Sequence, residues 1–305
     1  MAYKLLIINP GSTSTKLAIY EDEKKIVQEN IEHDTTELAK YDQIPDQIPF
    51  RMEIIRQFLE KNGVKQEELS AIVGRGGLVP GLHAGGYTVN DELFFALESD
   101  ISSPHASNLG GMLAKLCAES VGIPAYIYDA VTGGELTPVA QVTGIPEITR
   151  QSFCHLLNSH AMALKYAKSI GRDYKDLNLI VAHLGTSDCR VIEKMIQDGD
   201  KHAELVFRAQ AYQIAKGIGL LSVAQRGNTD AIILTGGVAN SKMLTDMVKE
   251  YAGFIAPIEV LPGENEMEAL AFGGLRLLRG EEQPHIYQLP SVRNQHKSYR
   301  HWRPS

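Results

Sequence analysis

Apolar residues recur along this chain in two rhythms. Short continuous runs at residues 5–8, 17–20, 71–73, 125–128, 179–182 and 231–234 have the make-up of strands buried on both faces of a sheet. Between them apolar positions return every three or four residues, which predicts helices at residues 51–62, 108–121, 156–170, 201–224 and 267–279. Gly63, Gly122 with Pro124, Gly171 and Gly280 supply the stops. Strand, small-residue turn and helix follow one another in both halves, which predicts a duplicated α/β design. A boundary falls near residues 143–150, where Gly144 and Pro146 punctuate the chain. The expected division is residues 1–148, completed by the last helix at 266–280, and residues 149–265; a length of 305 residues suits about two domains.

Composition narrows the class. Hydrophobic residues at 44% and charged residues at 22% describe a globular chain, and no apolar run approaches the ~20 residues that a membrane span needs. A net charge of −7 argues against nucleic acid as a partner, because counterion release needs a basic face. Cys117, Cys154 and Cys189 are scattered without metal-ligand spacing, so a reducing cytoplasm is expected, and no signal peptide is read at the start. Residues 284–305 change character: Arg293, Lys297, Arg300 and Arg303 appear with no carboxylate, and a loosely held basic tail is expected.

The polar residues that end the apolar runs carry the chemistry, since ligands in such sheets gather at the C-terminal strand ends. Asn9, Gly11, Ser12, Thr13, Ser14 and Lys16 form a small-polar loop between the first two runs. Amide, hydroxyl and ammonium donors around a tight turn suit clustered anionic oxygens, although the same residues make an ordinary hairpin turn. Arg75 stands in Gly74-Arg75-Gly76-Gly77, where glycines would let an anion reach its guanidinium. Asp129 ends a strand and reads equally as a ligand of a magnesium-bound water or as the cap of the next turn. Among the histidines, His183 beside Gly185 is best placed, while His105, His155 and His160 lack the spacing of a zinc helix. Residues 235–241, with Gly236, Gly237 and Asn240, pass from strand to helix, and their N–H groups suit a nucleotide's phosphates or ribose. Glu264, Glu266 and Glu268 open the last helix, where the dipole alone accounts for them.

In this order the motifs resemble the acetate and sugar kinase, Hsp70 and actin superfamily, and within it the butyrate kinases of the acetokinase family. Residues 9–16 are similar to that family's first phosphate loop and residues 234–237 to its adenosine motif; residues 74–77, 103–108, 128–131 and 262–266 resemble further signatures. The resemblance implies two RNase H-like domains facing a cleft, ATP with Mg²⁺ as cofactors, a short-chain carboxylate as substrate, and a homo-oligomer. It implies that Arg75 and His105 hold the carboxylate, that Asp129 and Glu266 organise the metal ion, and that His155 stabilises the moving phosphoryl group. Asn9, Gly11, Ser12, Thr13, Ser14 and Lys16, with His183, Gly185, Gly236, Gly237 and Asn240, would bind phosphates and nucleotide.

One departure stands out. After residues 181–185 the family pattern continues through two further strands to a second catalytic arginine, whereas here Gly185 runs directly into Thr186-Ser187-Asp188-Cys189-Arg190. An internal block is read as missing between Gly185 and Thr186, and Arg190 heads a helix rather than replacing the lost cation. The second domain is therefore expected to lack part of its sheet. Three functions follow as expectations: a butyrate kinase, a degenerate homologue that binds nucleotide or a partner without turnover, or another small-molecule kinase of the superfamily.

Overall fold

A computed structural model of the chain describes residues 2–143, 145, 148–185 and 189–289. The N-terminal stretch runs β1 (Lys4–Pro10), β2 (Ser14–Glu21), β3 (Lys24–Glu32), α1 (Thr35–Leu38), α2 (Ile48–Lys61), β4 (Ala71–Arg75), β5 (Gly86–Thr88), α3 (Asp91–Glu98), α4 (Asn108–Glu119), β6 (Ala125–Tyr128) and α5 (Pro138–Gln141). It continues with α6 (Leu156–Ser169), β7 (Leu179–His183), α7 (Arg190–Gln197), α8 (Lys201–Ala224), β8 (Ala231–Thr235), α9 (Lys242–Ala252), β9 (Ile258–Val260), α10 (Glu266–Arg279) and β10 (His285–Ile286). Two compact units result: Asn158–Glu266 forms one, and the described residues on either side of it form the other.

The first unit is built on a seven-stranded sheet in the order β10-β5-β6-β4-β1-β2-β3. β1, β2 and β3 are an antiparallel meander, while β1, β4 and β6 run parallel. Beyond Lys4, β1 is buried along its whole length, and so are β4 and β6, because helices cover both faces. Leu6, Ile8, Leu17 and Ile19 pack with Ile55 and Phe58 of α2 and with Leu109 and Met112 of α4. Against the opposite face lies α10, its Gly273 on Tyr128 and its Gly274 on Val73 and Leu5. The loosely held tail was expected from residue 284, yet residues 285–289 are held in place. β10 pairs parallel with β5, Tyr287 is buried, and the Asn90 side chain donates to the Tyr287 carbonyl at 2.8 Å. An aromatic side chain and a strand register fix this segment; Arg293, Lys297, Arg300 and Arg303 fall outside the described residues.

The second unit carries three parallel strands, β7-β8-β9, with Leu179 to His183 in register with Ala231 to Thr235. Ile180, Phe207, Ala211, Ile218, Ile232, Leu234, Leu244 and Val248 form its core. Its parallel strands repeat the β1-β4-β6 pattern of the first unit, but the meander that follows β1 has no counterpart after β7 among the described residues. The difference shows in burial. Along β7 only Ile180 is buried and the other four residues are half-exposed. The neighbouring helices α7 and α8 leave Val191 65%, Leu205 66%, Leu220 75% and Val223 73% exposed. Among the described residues no helix is long and apolar enough to cross a membrane.

Candidate active site

In the first unit the phosphate-type loop is the turn between β1 and β2. Pro10 pairs with Thr15 and Asn9 with Lys16, and the Gly11 N–H closes the turn on the Ser14 carbonyl at 2.8 Å. Asn9 is buried, Gly11, Ser14 and Lys16 are half-buried, and Ser12 and Thr13 are exposed. Beneath the turn lies Arg51, a residue the sequence reading assigned no role. It is fully buried. Its guanidinium donates to the carbonyls of Gly11 and Ser14, to Thr15 Oγ1 (each 2.9 Å), and to Gln47 Oε1 at 3.1 and 2.9 Å. Drawing two carbonyls inward leaves the opposite side of the turn to its donors. His33 completes the underside: its Nε2 lies 2.8 Å from Thr15 Oγ1, its backbone N–H donates to the Thr13 carbonyl, and its ring meets Phe50 edge-on.

A second cluster forms where β4 ends. Arg75 is buried, and the glycines around it do a different job from the one expected. A Cβ on Gly74 would stand 2.0 Å from the Gly110 carbonyl oxygen of α4, and one on Gly76 would stand 2.7 Å from Ala130. These glycines admit protein backbone, which at Gly74 brings the N-terminus of α4 directly onto the strand. His105 sits at that helix start. The Ser107 N–H donates to its Nδ1 at 3.1 Å, and Ser107 Oγ lies 2.7 Å from the same nitrogen. A backbone N–H can only donate, so Nδ1 is the acceptor and the ring proton resides on Nε2. Burial, and then the Arg75 charge, push the His105 pKa below its ordinary 6.5. The result is a buried guanidinium near a neutral imidazole donor, a pairing suited to a carboxylate. Asp129, also buried, adopts φ 44° and clasps the turn before β5: its N–H donates to the Gly85 carbonyl at 3.0 Å and its Oδ1 accepts from the Gly85 N–H at 2.8 Å. The expected cap was of the turn after Asp129; the turn it holds lies 44 residues earlier in the chain, and the backbone at Asp129 is strained. His155 is exposed ahead of α6.

The two lowered histidines carry a sign for stability. Burial, and then the Arg51 charge, likewise lower the His33 pKa. Because the folded protein resists protonating both rings, the unfolded chain binds more protons once the pH drops below about 6.5. Stability is therefore full above that value and is lost as the pH falls through the folded-state pKa values. Urea midpoints measured from pH 7 to 5 should decline, and the double variant His33→Gln/His105→Gln should flatten the decline; equal slopes for the two proteins would contradict this.

In the second unit the sequence-predicted residues meet at the ends of β7 and β8. His183 and Thr235 are register partners. The Leu184 N–H donates to the Thr235 carbonyl at 2.7 Å, and the Val238 N–H donates to the carbonyls of Leu184 and Gly185 at 3.3 and 3.0 Å. This corrects one reading. Residues 237–240 form a short 3-10 turn, and α9 starts only at Lys242 with Ser241 as its cap. The amide after Gly236-Gly237 is therefore spent inside the protein. Gly236 is obligatory here, since its φ is +89° and a Cβ would lie 2.1 Å from the Leu184 oxygen. Asn240 is exposed, its amide donating to the Gly237 carbonyl at 2.8 Å, and Glu266 is half-buried at the first turn of α10. Thr186, Ser187 and Asp188, at the interruption, lie outside the described residues. Arg190 is exposed at the head of α7.

Comparison with known proteins assigns the chain. The family model described as the acetokinase family matches residues 185–256. A protein of Caldanaerobacter subterraneus subsp. tengcongensis named "probable butyrate kinase 2" is 39% identical in an alignment of 352 positions that covers 93% of this chain and 99% of the relative. The chain belongs to the acetokinase family. Among solved structures, Porphyromonas gingivalis acetate kinase superposes on this acetokinase-family chain with a TM-score of 0.70 at 16% identity, covering 90% of this chain and all of the other. A propionate kinase of Francisella tularensis gives 0.65 at 14%, covering 88% and 98%. At those identities the agreement is one of fold: two actin-like α/β domains. The alignment also counts what differs, because 93% of 305 residues is about 284, so about 68 of the 352 positions hold a residue of the relative and none of this chain.

Proposed function

We propose that the protein is an ATP-dependent carboxylate kinase, with butyrate its first candidate substrate, forming butyryl phosphate and ADP. The observation that carries this reading is the 39% identity extending over 99% of a relative named as a butyrate kinase. In the proposed step a carboxylate oxygen attacks the γ-phosphorus in line, the bond from that phosphorus to the β–γ bridging oxygen breaks, and ADP leaves. A carboxylate is already ionised near pH 7, so the protein needs no strong base; its work is positioning and charge neutralisation. Arg75 and the Nε2–H of His105 hold the carboxylate. Asn9, Gly11, Ser12, Thr13, Ser14 and Lys16 line the phosphate path, His155 meets the transferring group, and His183, Gly185, Gly236, Gly237 and Asn240 serve the nucleotide.

A metal ion would arrive with ATP. Among the described residues no group of three or more His, Cys, Asp or Glu side chains forms a metal cage, whereas Mg²⁺ commonly takes one or two carboxylates and completes its shell with phosphate oxygens and water. Asp129 and Glu266 would hold it. When bound, Mg²⁺ supplies charge neutralisation across the phosphates.

A second reading keeps the family and drops the turnover. It is favoured by β7 having only β8 beside it among the described residues, by the family match beginning at residue 185, and by the roughly 68 uncounterparted positions, which together support one lost block after Gly185. Coupled ADP release with butyrate, isobutyrate, propionate and acetate separates the two. Turnover that falls about 10²-fold in Arg75→Ala, as loss of a transition-state donor does, supports the kinase; no acyl phosphate above background from folded protein at millimolar substrate supports the degenerate homologue.

A further inference from the structure

Asn158 lies in the first turn of α6 with its side chain fully buried. A primary amide is costly to bury unless its donors and acceptor are matched, and here they are. The Asn265 N–H donates to Oδ1 at 3.0 Å, Nδ2 donates to Thr235 Oγ1 at 3.1 Å, and Nδ2 stands 3.0 Å from His183 Nδ1. The orientation of the amide follows from chemistry. A backbone N–H can only donate, so the atom facing Asn265 is the carbonyl oxygen, and the atom facing His183 is the NH₂. An NH₂ has no lone pair to offer, so Nδ1 of His183 is the acceptor and the ring proton is on Nε2. A second proton would set N–H against N–H, which keeps the ring neutral.

One side chain thereby joins the last residue of β7, the last residue of β8 and the segment leading into α10. We infer that Asn158 is a positioning residue that fixes His183 as a neutral Nε2–H donor at the strand ends of the second unit. The ligand of that donor, an anionic phosphate oxygen of the nucleotide, rests on the proposed function; the tautomer does not. Asn158 acts only through His183, Thr235 and the Asn265 backbone.

The variant Asn158→Asp tests this with little change in shape. A carboxylate only accepts: one oxygen keeps the Asn265 N–H, the Thr235 hydroxyl can turn to donate to the other, and His183 must then present Nδ1–H. Long-range ¹H–¹⁵N NMR of the full chain, with His183→Gln to assign the ring signals, reads the tautomer directly. The expected result is Nε2–H in the native protein, and Nδ1–H or a doubly protonated ring in Asn158→Asp. Calorimetric Mg-ATP affinity should fall about tenfold in the variant, the scale of one hydrogen bond to a charged group. Native Nδ1–H, or the same tautomer in both proteins, overturns the inference, and the native spectrum decides alone if the variant does not fold. An inverted tautomer with unchanged affinity overturns the nucleotide role. Native protein that binds no Mg-ATP defeats the proposed function instead, and leaves the tautomer to be judged by NMR.

Discussion

Replacing Arg51 by alanine is expected to destabilise the first unit by about 4 kcal/mol or more, and to weaken whatever anion binds the Asn9–Lys16 loop. The magnitude follows from what is left behind. Two carbonyl oxygens, a hydroxyl and an amide oxygen lose their donor, and a buried acceptor without a partner costs about 1–3 kcal/mol. The cavity left by Arg51, which heads the large fully buried side chains among the described residues, adds to this. Burial lowers the guanidinium pKa to about 10, so the group is still charged at pH 7, its charge met by the dipoles it holds. Arg51→Lys should recover little, because an ammonium on a flexible stem cannot span acceptors on both sides of a turn as a planar fork does. Urea denaturation supplies the measurement, with the KM for ATP as companion. A midpoint shift worth less than 1 kcal/mol in Arg51→Ala would remove Arg51 as the support of the loop.

Arg51 was legible and passed over. It stands four, seven and eight residues before Ile55, Phe58 and Leu59, so a charge falls on the apolar stripe of its helix, and such a charge is tolerated in a core only when it is fully hydrogen-bonded. Asn158 carries the same signal, one turn before the buried Met162. Strands β1, β4, β6 and β8 could be read because burial on both faces makes them continuous apolar runs, and β7 keeps such a run although only Ile180 is buried. β3 could not. As an edge strand with exposed and half-buried positions alternating, it mixes Ile26, Val27 and Ile31 with Lys24, Lys25, Glu29 and Asn30. β5, β9 and β10 are two or three residues long, shorter than any periodicity can register. The glycines around Arg75 were noticed for a close approach, but what approaches is protein: the backbone of α4 at Gly74 and Ala130 at Gly76. Distance along the chain hid that partner. At Gly236-Gly237 the turn was legible and its hydrogen-bond acceptors were not, since they lie some fifty residues earlier, at Leu184 and Gly185.

Inserting after Gly185 the block that the sequence reading expects there, taken from the butyrate kinase relative, is expected to have the largest effect of all. The first unit shows what the second would gain. β1 is buried on both faces and paired on both edges, whereas β7 has only β8 beside it among the described residues. Two added strands would pair its open edge and cover apolar side chains such as Val191, Leu205, Leu220 and Val223. At about 1.5–3 kcal/mol for each large side chain removed from water, four of them give ~6–12 kcal/mol before the entropy of ordering the insert is subtracted. Without that cover an exposed edge next to an apolar surface favours association between copies. The native chain should therefore bind a hydrophobic dye and elute as a concentration-dependent oligomer. The insertion should reduce both effects, raise the melting temperature of the second unit and, if it carries the second arginine that the sequence reading expects there, increase carboxylate-dependent ADP release by about 10²–10³-fold. A native chain that stays monomeric, binds no dye and turns over as fast as the insertion variant would show that the second unit is complete as it stands.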